Sequence, residues 1–295
     1  MTDPKLVSPA PGYERARVAT DASVPYCVGA AYYGGYDHDH LAGVLQLEWG
    51  DPNLHVIRTH GVPYIDQARA IIATSAMALM PEKDAVLVFL DHDIIFDPRD
   101  VPRLVDAIAS SPYDVLAVPY SMRKHAGGLI GFPTPHPSGE TPLSFFELGG
   151  FYDSIGVGMG FTAIKLSTFW KMAAGEHFQT GEQIAEPMRR YICGTQNKVY
   201  PFFAHLLEGE LYLGEDMSFC RRVAAAGGRV GLWTVPRIGH KGTYIYAPED
   251  CAFAVPVSKR LTLKLRVQED FSRVLPGALP YTRDDTGKWQ PYEAE

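Results

Sequence analysis

The sequence predicts an α/β fold, a doubly wound and mostly parallel central sheet flanked by helices, and three observations predict it. The run Ala85-Val86-Leu87-Val88-Phe89-Leu90 carries no charge, as a strand buried on both faces requires. It stops at Asp91-His92-Asp93, which puts acidic groups at the C-terminal end of a central strand, where open α/β sheets place their ligands. On either side of it, strand-like runs alternate with segments of helical apolar spacing, the pattern of βαβ units.

In chain order, residues 1–23 are rich in Pro, Ala, Ser and charge and read as a loosely held tail. Pro25–Ala31 is a first strand, ending at Tyr32-Tyr33-Gly34-Gly35, where the two glycines permit a sharp turn or a close approach to a ligand. Leu41–Leu47 reads as a short helix and Leu54–Arg58 as a second strand. Ile65–Met80 has apolar residues at helical spacing, Asp66 in its first turn and Pro81 after its end. Beyond the acidic pair, Pro98 and Pro102 open a helix to about Ala109, and Asp114–Pro119 is another buried strand. Residues 123–150, dense in Gly and Pro, read as a long surface excursion that carries substrate contacts. Ser154–Ile164, with glycines at 156, 158 and 160, reads as one strand with something large packed on its glycine face. A helix from Ser167 to about Ala174 follows, then irregular chain over 175–209, then a helix over Gly214–Ala226 closed by Gly227-Gly228. Arg229–Trp233 is the last core strand, and a further helix is expected at about 256–270. No repeat or linker breaks the pattern, so one domain is expected over 24–270, with a C-terminal tail over 271–295.

The chain has 295 residues, 46% hydrophobic and 21% charged, ordinary for a soluble globular protein. A net charge of −7 argues against a surface built to hold nucleic acid by its phosphates. Cys27, Cys193, Cys220 and Cys251 lie far apart and suggest neither a zinc site nor a disulfide framework. The N-terminus lacks the apolar core of a secretory signal, and no run approaches the roughly 18 apolar residues that span a bilayer. A cytoplasmic setting is therefore expected.

Alternation along an extended chain would point Asp91 and Asp93 the same way, with His92 opposite. Two carboxylates so placed suit Mg2+ or Mn2+, hard cations that also grip phosphate oxygens. The alternative is a strand-end Asp followed by a turn-capping one. Asp37-His38-Asp39-His40 has a metal-binding composition, but four consecutive residues cannot converge on one ion, and a polar loop is expected there.

Asp91-His92-Asp93, then the glycine-rich strand, then Gly214-Glu215-Asp216 with Phe219-Cys220 and Arg222, then a lone His240 form an ordered set. That set resembles GT-A-fold glycosyltransferases, especially bacterial and phage family 2-like members, over roughly Tyr26 to Tyr244. The resemblance implies a metal-dependent transferase moving a sugar from a nucleotide-sugar, UDP-linked, to a hydroxyl acceptor. It implies Mn2+ or Mg2+ on Asp93 and His240, with Asp91 reaching the ribose or, through water, the metal. It implies Asp216 as the base of an inverting transfer and Glu215 as an acceptor contact or loop support. Arg69 matches an arginine that faces the nucleotide, the alternative being a solvated helix charge. Tyr32 and Tyr33 lie where uracil or ribose would sit, and His92 is a further expected nucleotide-sugar contact. Arg123 is placed to meet the diphosphate or the acceptor, or is a solvated loop charge. Of Arg221 and Arg222, one is expected on the diphosphate or an acidic neighbour and the other in solvent. At a helix N-terminus the pKa of Asp216 is expected to fall.

Retention, nucleotidyl transfer and a non-catalytic nucleotide-sugar-binding module are the alternatives. Against nucleotidyl transfer, Tyr32-Tyr33-Gly34-Gly35-Tyr36-Asp37 holds no Lys or Arg for a phosphate loop. The acceptor stays open among a glycan, a small molecule, a protein and a modified nucleobase.

Overall fold

The structure, a computed structural model, describes residues 22–34, 37–82, 84–123, 129–130, 132–133, 150–174, 191–193, 197–242, 245–246, 281–283 and 289–291. The elements run β1 (Tyr26–Tyr32), α1 (His38–Gly50), β2 (His55–His60), α2 (Ile65–Leu79), β3 (Val86–Asp91), β4 (Ile94–Ile95) and α3 (Asp100–Ala109). Then come β5 (Val115–Ala117), β6 (Tyr120–Ser121), β7 (Leu129–Ile130), β8 (Phe132–Pro133), β9 (Phe151–Gly156), β10 (Phe161–Lys165) and α4 (Leu166–Ala174). The remainder is β11 (Tyr191–Cys193), β12 (Asn197–Val199), β13 (Leu206–Glu208), β14 (Leu211–Leu213), α5 (Glu215–Ala225), β15 (Val230–Trp233), β16 (Gly239–Lys241), β17 (Ile245–Tyr246), β18 (Tyr281–Arg283) and β19 (Trp289–Pro291).

Among the described residues, eight strands form the central sheet in the order β2-β1-β3-β10-β5-β15-β9-β8. β2, β1 and β3 are mutually parallel, as are β5 and β15, while β10 and β9 run against their neighbours. The sheet is therefore mostly parallel and flanked by helices, the class expected from the sequence.

β3 lies inside it and is buried on both faces, as its uninterrupted apolar run requires. Leu87 and Phe89 pack on the side of α2, α4 and α5 with Ile72, Phe169 and Phe219. Val86, Val88 and Leu90 pack on the side of α1 and α3 with Leu47, Val101 and Leu104. Each such side chain contributes about 1.5–3 kcal/mol by leaving water, so the position of this strand is strongly fixed. α2 sits close on β1 because residue 29 is glycine: a Cβ there would stand 2.3 Å from Ile72 Cγ2.

Three expectations need correcting. Ser154–Ile164 is not one strand but parts of two, β9 and β10, separated in the sheet by β5 and β15. Asp37–His40 is not a loop: Asp37 caps α1, its Oδ1 accepting from the backbone N–H of Asp39 at 2.9 Å and of His40 at 3.3 Å. Residues 175–209, read as irregular, contain β11, β12 and β13. The helix expected at 256–270, residues 1–21 of the tail read over 1–23 and most of 123–150 lie outside the described residues. Among the described residues no helix is long and apolar enough to cross a membrane.

Candidate functional site

Because β1, β3, β5 and β15 run the same way, their C-terminal ends share one sheet edge. Tyr32 ends β1, Asp91 ends β3, Tyr120 follows β5, and His240 lies beyond β15. The antiparallel β10 begins at this edge, and the carbonyl of Gly160 accepts the Asp91 N–H at 2.9 Å. Ligand-binding edges of α/β sheets arise in this way, from loops that leave parallel strands together.

The two acids of the pair do not share a partner. β3 stops at Asp91 and residues 92–93 turn, so strand alternation does not extend to Asp93. Asp91 accepts both of its short contacts from Arg69, whose Nη2 lies 3.0 Å from Oδ1 and 2.9 Å from Oδ2. The Nη1 of the same guanidinium donates to Glu215 Oε1 at 2.5 Å. Arg69 is 4% exposed, so the reading of a solvated helix charge is overturned. Burial opposes its charge, but Asp91 and Glu215 more than offset that and hold its pKa above the ordinary arginine value. One buried cation thus joins the end of β3 to the start of α5.

Asp216 stands next along α5, and its Oδ1 accepts the Met217 N–H at 2.7 Å. Its pKa is raised rather than lowered, correcting the expectation from the helix N-terminus. Burial and the adjacent Glu215 charge push it up and outweigh the Met217 N–H and Arg69, which pull it down.

Asp93 faces the other way. Its Oδ2 lies 3.3 Å from His240 Nε2 and 2.9 Å from Arg123 Nη1. The contact with residue 240, far along the chain, is built by pairing: β4 follows Asp93 and lies antiparallel to β16, with Ile94 opposite His240. The Lys241 N–H also donates to the Asp93 carbonyl at 2.7 Å. His240 Nδ1–H donates to the Ser121 carbonyl at 2.7 Å, which leaves Nε2 toward the carboxylate. Burial acts to raise the Asp93 pKa, but His240 and Arg123 overcome it and hold the carboxyl below its ordinary value.

An imidazole nitrogen and a carboxylate oxygen facing each other, with the far ring nitrogen fixed on a carbonyl, form a donor set suited to Mn2+ or Mg2+. Among the described residues no group of three His, Cys, Asp or Glu side chains could hold a metal by itself. Such an ion would take its remaining ligands from water and substrate phosphate, as Mg2+ commonly does. The residues fit on those terms, with Asp93 and His240 as the pair; Asp91 is not brought to it.

Two residues central to this edge are missed by the sequence: Tyr120 has no signal in it, and His40 reads as part of a polar loop. The Tyr120 ring stands edge-on to His240 at 5.0 Å between centroids, and its hydroxyl accepts the Gly160 N–H at 3.3 Å. Gly160 is required there, since a Cβ would lie 2.7 Å from the Tyr120 hydroxyl. His40 is fully buried, its Nδ1–H donating to the Ile94 carbonyl at 3.1 Å and its Nε2 accepting from Tyr32 Oη at 3.1 Å. Tyr32, placed by the sequence against a base or ribose, is itself buried and also stacks on His60. Tyr33 is exposed, and His92 is half-buried. Arg221 pairs with Glu208 at 3.0 Å. Arg222, far from being solvated, is buried and donates to the Phe202 and Ala204 carbonyls at 3.1 and 2.6 Å.

No family model matches the sequence, and no curated protein matches it. Solved structures that resemble the fold include the crystal structure of A197 from STIV, at 16% identity and a TM-score of 0.46 over 74% of this chain and 86% of that one. Another is GalNAc-T7 with UDP, GalNAc and Mn2+, at 13% identity and a TM-score of 0.40 over 74% of this chain and 44% of that one. This chain thus spans less than half the length of the second. At such TM-scores neither likeness carries an argument about chemistry, which rests on the residues described above.

Proposed function

We propose that the chain is a GT-A-type glycosyltransferase that uses a divalent cation to move a sugar from a UDP-linked donor to an acceptor hydroxyl, with inversion. The observation that carries this reading is the division of labour at one sheet edge. A mostly buried acid–imidazole pair, Asp93 and His240, lies just beyond the end of β3, and a carboxylate of raised pKa, Asp216, is tied to that strand end through Glu215, Arg69 and Asp91.

The reaction needs two things from the protein: neutralisation of a departing diphosphate and a base for the acceptor. Mn2+ or Mg2+ bound by Asp93 and His240 would supply Lewis-acid neutralisation of the leaving charge. Asp216 takes the acceptor proton as the acceptor oxygen bonds to the anomeric carbon. The bond from that carbon to the diphosphate oxygen breaks, and its electron pair leaves with the diphosphate. Burial and the Glu215 charge raise the Asp216 pKa, which makes its carboxylate a stronger base than an ordinary aspartate. Glu215 and Arg69 do not touch substrate in this scheme; they fix the first turn of α5 against the strand end. Tyr33, His92 and Arg123 face the donor, and the domain spans 24–270.

The test is transfer from UDP-sugars in the presence of Mn2+. Asp216→Asn is expected to lower transfer by about 10²–10⁴-fold while UDP binding persists. Unchanged transfer in that variant would remove Asp216 from the role of base, and NMR of the product anomer checks inversion.

A further inference from the structure

We infer that Arg123 is a displaceable counter-ion for Asp93, which occupies the cation's place on that carboxylate and turns to the donor diphosphate when the cation binds. The inference rests on the metal reading of Asp93 and His240 proposed above. Arg123 Nη1 and His240 Nε2 converge on the same oxygen, Oδ2, at 2.9 and 3.3 Å. A divalent ion shared by Asp93 and His240 would have to sit against that oxygen, so ion and guanidinium exclude each other there.

The surroundings of the two cations of this edge differ in a way that permits exchange. Arg69 is 5% exposed at its side chain and holds two acids at once. Arg123 is 53% exposed at its side chain, whereas Asp93 is 16% exposed. A guanidinium more than half in water leaves a carboxylate at small cost. The mostly buried Asp93, left alone, would carry an uncompensated charge. Arg123 thus shields the acid while no ion is present and becomes free when one arrives.

Its place in the chain fits the second half of the exchange. Arg123 lies two residues beyond Ser121, whose carbonyl fixes the His240 ring, so the freed guanidinium stays at the mouth of the same pair. Its planar fork matches phosphate oxygens better than an ammonium does. The exchange also orders the reaction: donor diphosphate meets a free arginine only once the ion is seated.

The experiment compares the unmodified chain with Arg123→Gln and Asp93→Asn. Free Mn2+ is counted by electron paramagnetic resonance without nucleotide, and UDP binding is measured by calorimetry at saturating Mn2+. Loss of a half-exposed ion pair is expected to tighten Mn2+ binding of Arg123→Gln about threefold to fivefold. UDP affinity is expected to fall by about as much or more, while Asp93→Asn loses Mn2+ binding. Opposite signs for the two ligands are the signature, since a purely structural surface pair would move neither. Mn2+ binding by Arg123→Gln equal to or weaker than that of the unmodified chain overturns the exchange alone. Absence of Mn2+ binding in the unmodified chain overturns the exchange together with the metal reading beneath it.

Discussion

The carboxylates of Asp91 and Asp93 are one residue apart in sequence and live in different chemical settings. Asp91 is gripped through both oxygens by a buried arginine that also holds Glu215. Asp93 shares one oxygen between a buried imidazole and a guanidinium that is mostly in water. The first arrangement is closed and joins strand to helix; in the second, one of the two partners stands more than half in solvent. A strand-end acid pair therefore does not imply two equal ligands. The turn after β3 gives one acid a buried arginine and the other a histidine and a half-exposed arginine.

Breaking the closed side tests this contrast most severely. Arg69→Met leaves Asp91 and Glu215 without their shared cation and is expected to destabilise the fold by about 3 kcal/mol. Asp93→Ala, which removes the acid from the open side, is expected to cost about 1 kcal/mol or less. Urea denaturation of both variants checks the difference, and equal losses would erase the distinction. Next in size is Gly160→Ala, whose methyl would stand 2.7 Å from the buried Tyr120 ring. Pushing that ring off Gly160 and His240 is expected to cost about 2 kcal/mol and to weaken metal-dependent turnover as His240 loses its wall.

How far these features were legible in the sequence follows from the range of the interactions that make them. The β3 strand and the Ile65–Leu79 helix were readable because burial pattern and local spacing coincide. The Asp93–His240 proximity came only through resemblance, since no local pattern announces the β4–β16 pairing. The burial of Arg69 was hidden because its partners lie 22 and 146 residues away. The roles of Tyr120 and His40 were hidden for the same reason, their contacts being made across the sheet edge. The split of Ser154–Ile164 escaped detection because the glycines at 156, 158 and 160, which mark the break between Gly156 and Phe161, read equally as one face of a continuous strand.

The smallest expected effect is in pH dependence, and it separates Asp93 from Asp216 by sign. The folded pKa of Asp93 is lowered, so its ionised form contributes stability above the unfolded value, lost as pH falls through the folded one. The folded pKa of Asp216 is raised, so its contribution is fully present below the unfolded value and is lost as pH rises through the folded one. Below about pH 4, where a lowered carboxyl titrates, Asp93→Asn should flatten the rise of stability with pH, and above about pH 4, where a raised one titrates, Asp216→Asn should steepen it. Denaturation midpoints across both ranges read the two changes of slope, and changes of the same sign would contradict the assignment.

The central claim, that Asp93 and His240 jointly hold the cation that receives the diphosphate, is tested most directly by calorimetry of UDP with and without Mn2+. The unmodified chain is predicted to bind UDP at least about tenfold more tightly with Mn2+, and Asp93→Ala and His240→Ala should each abolish that gain. UDP affinity indifferent to Mn2+, or a gain that survives both substitutions, would contradict the account.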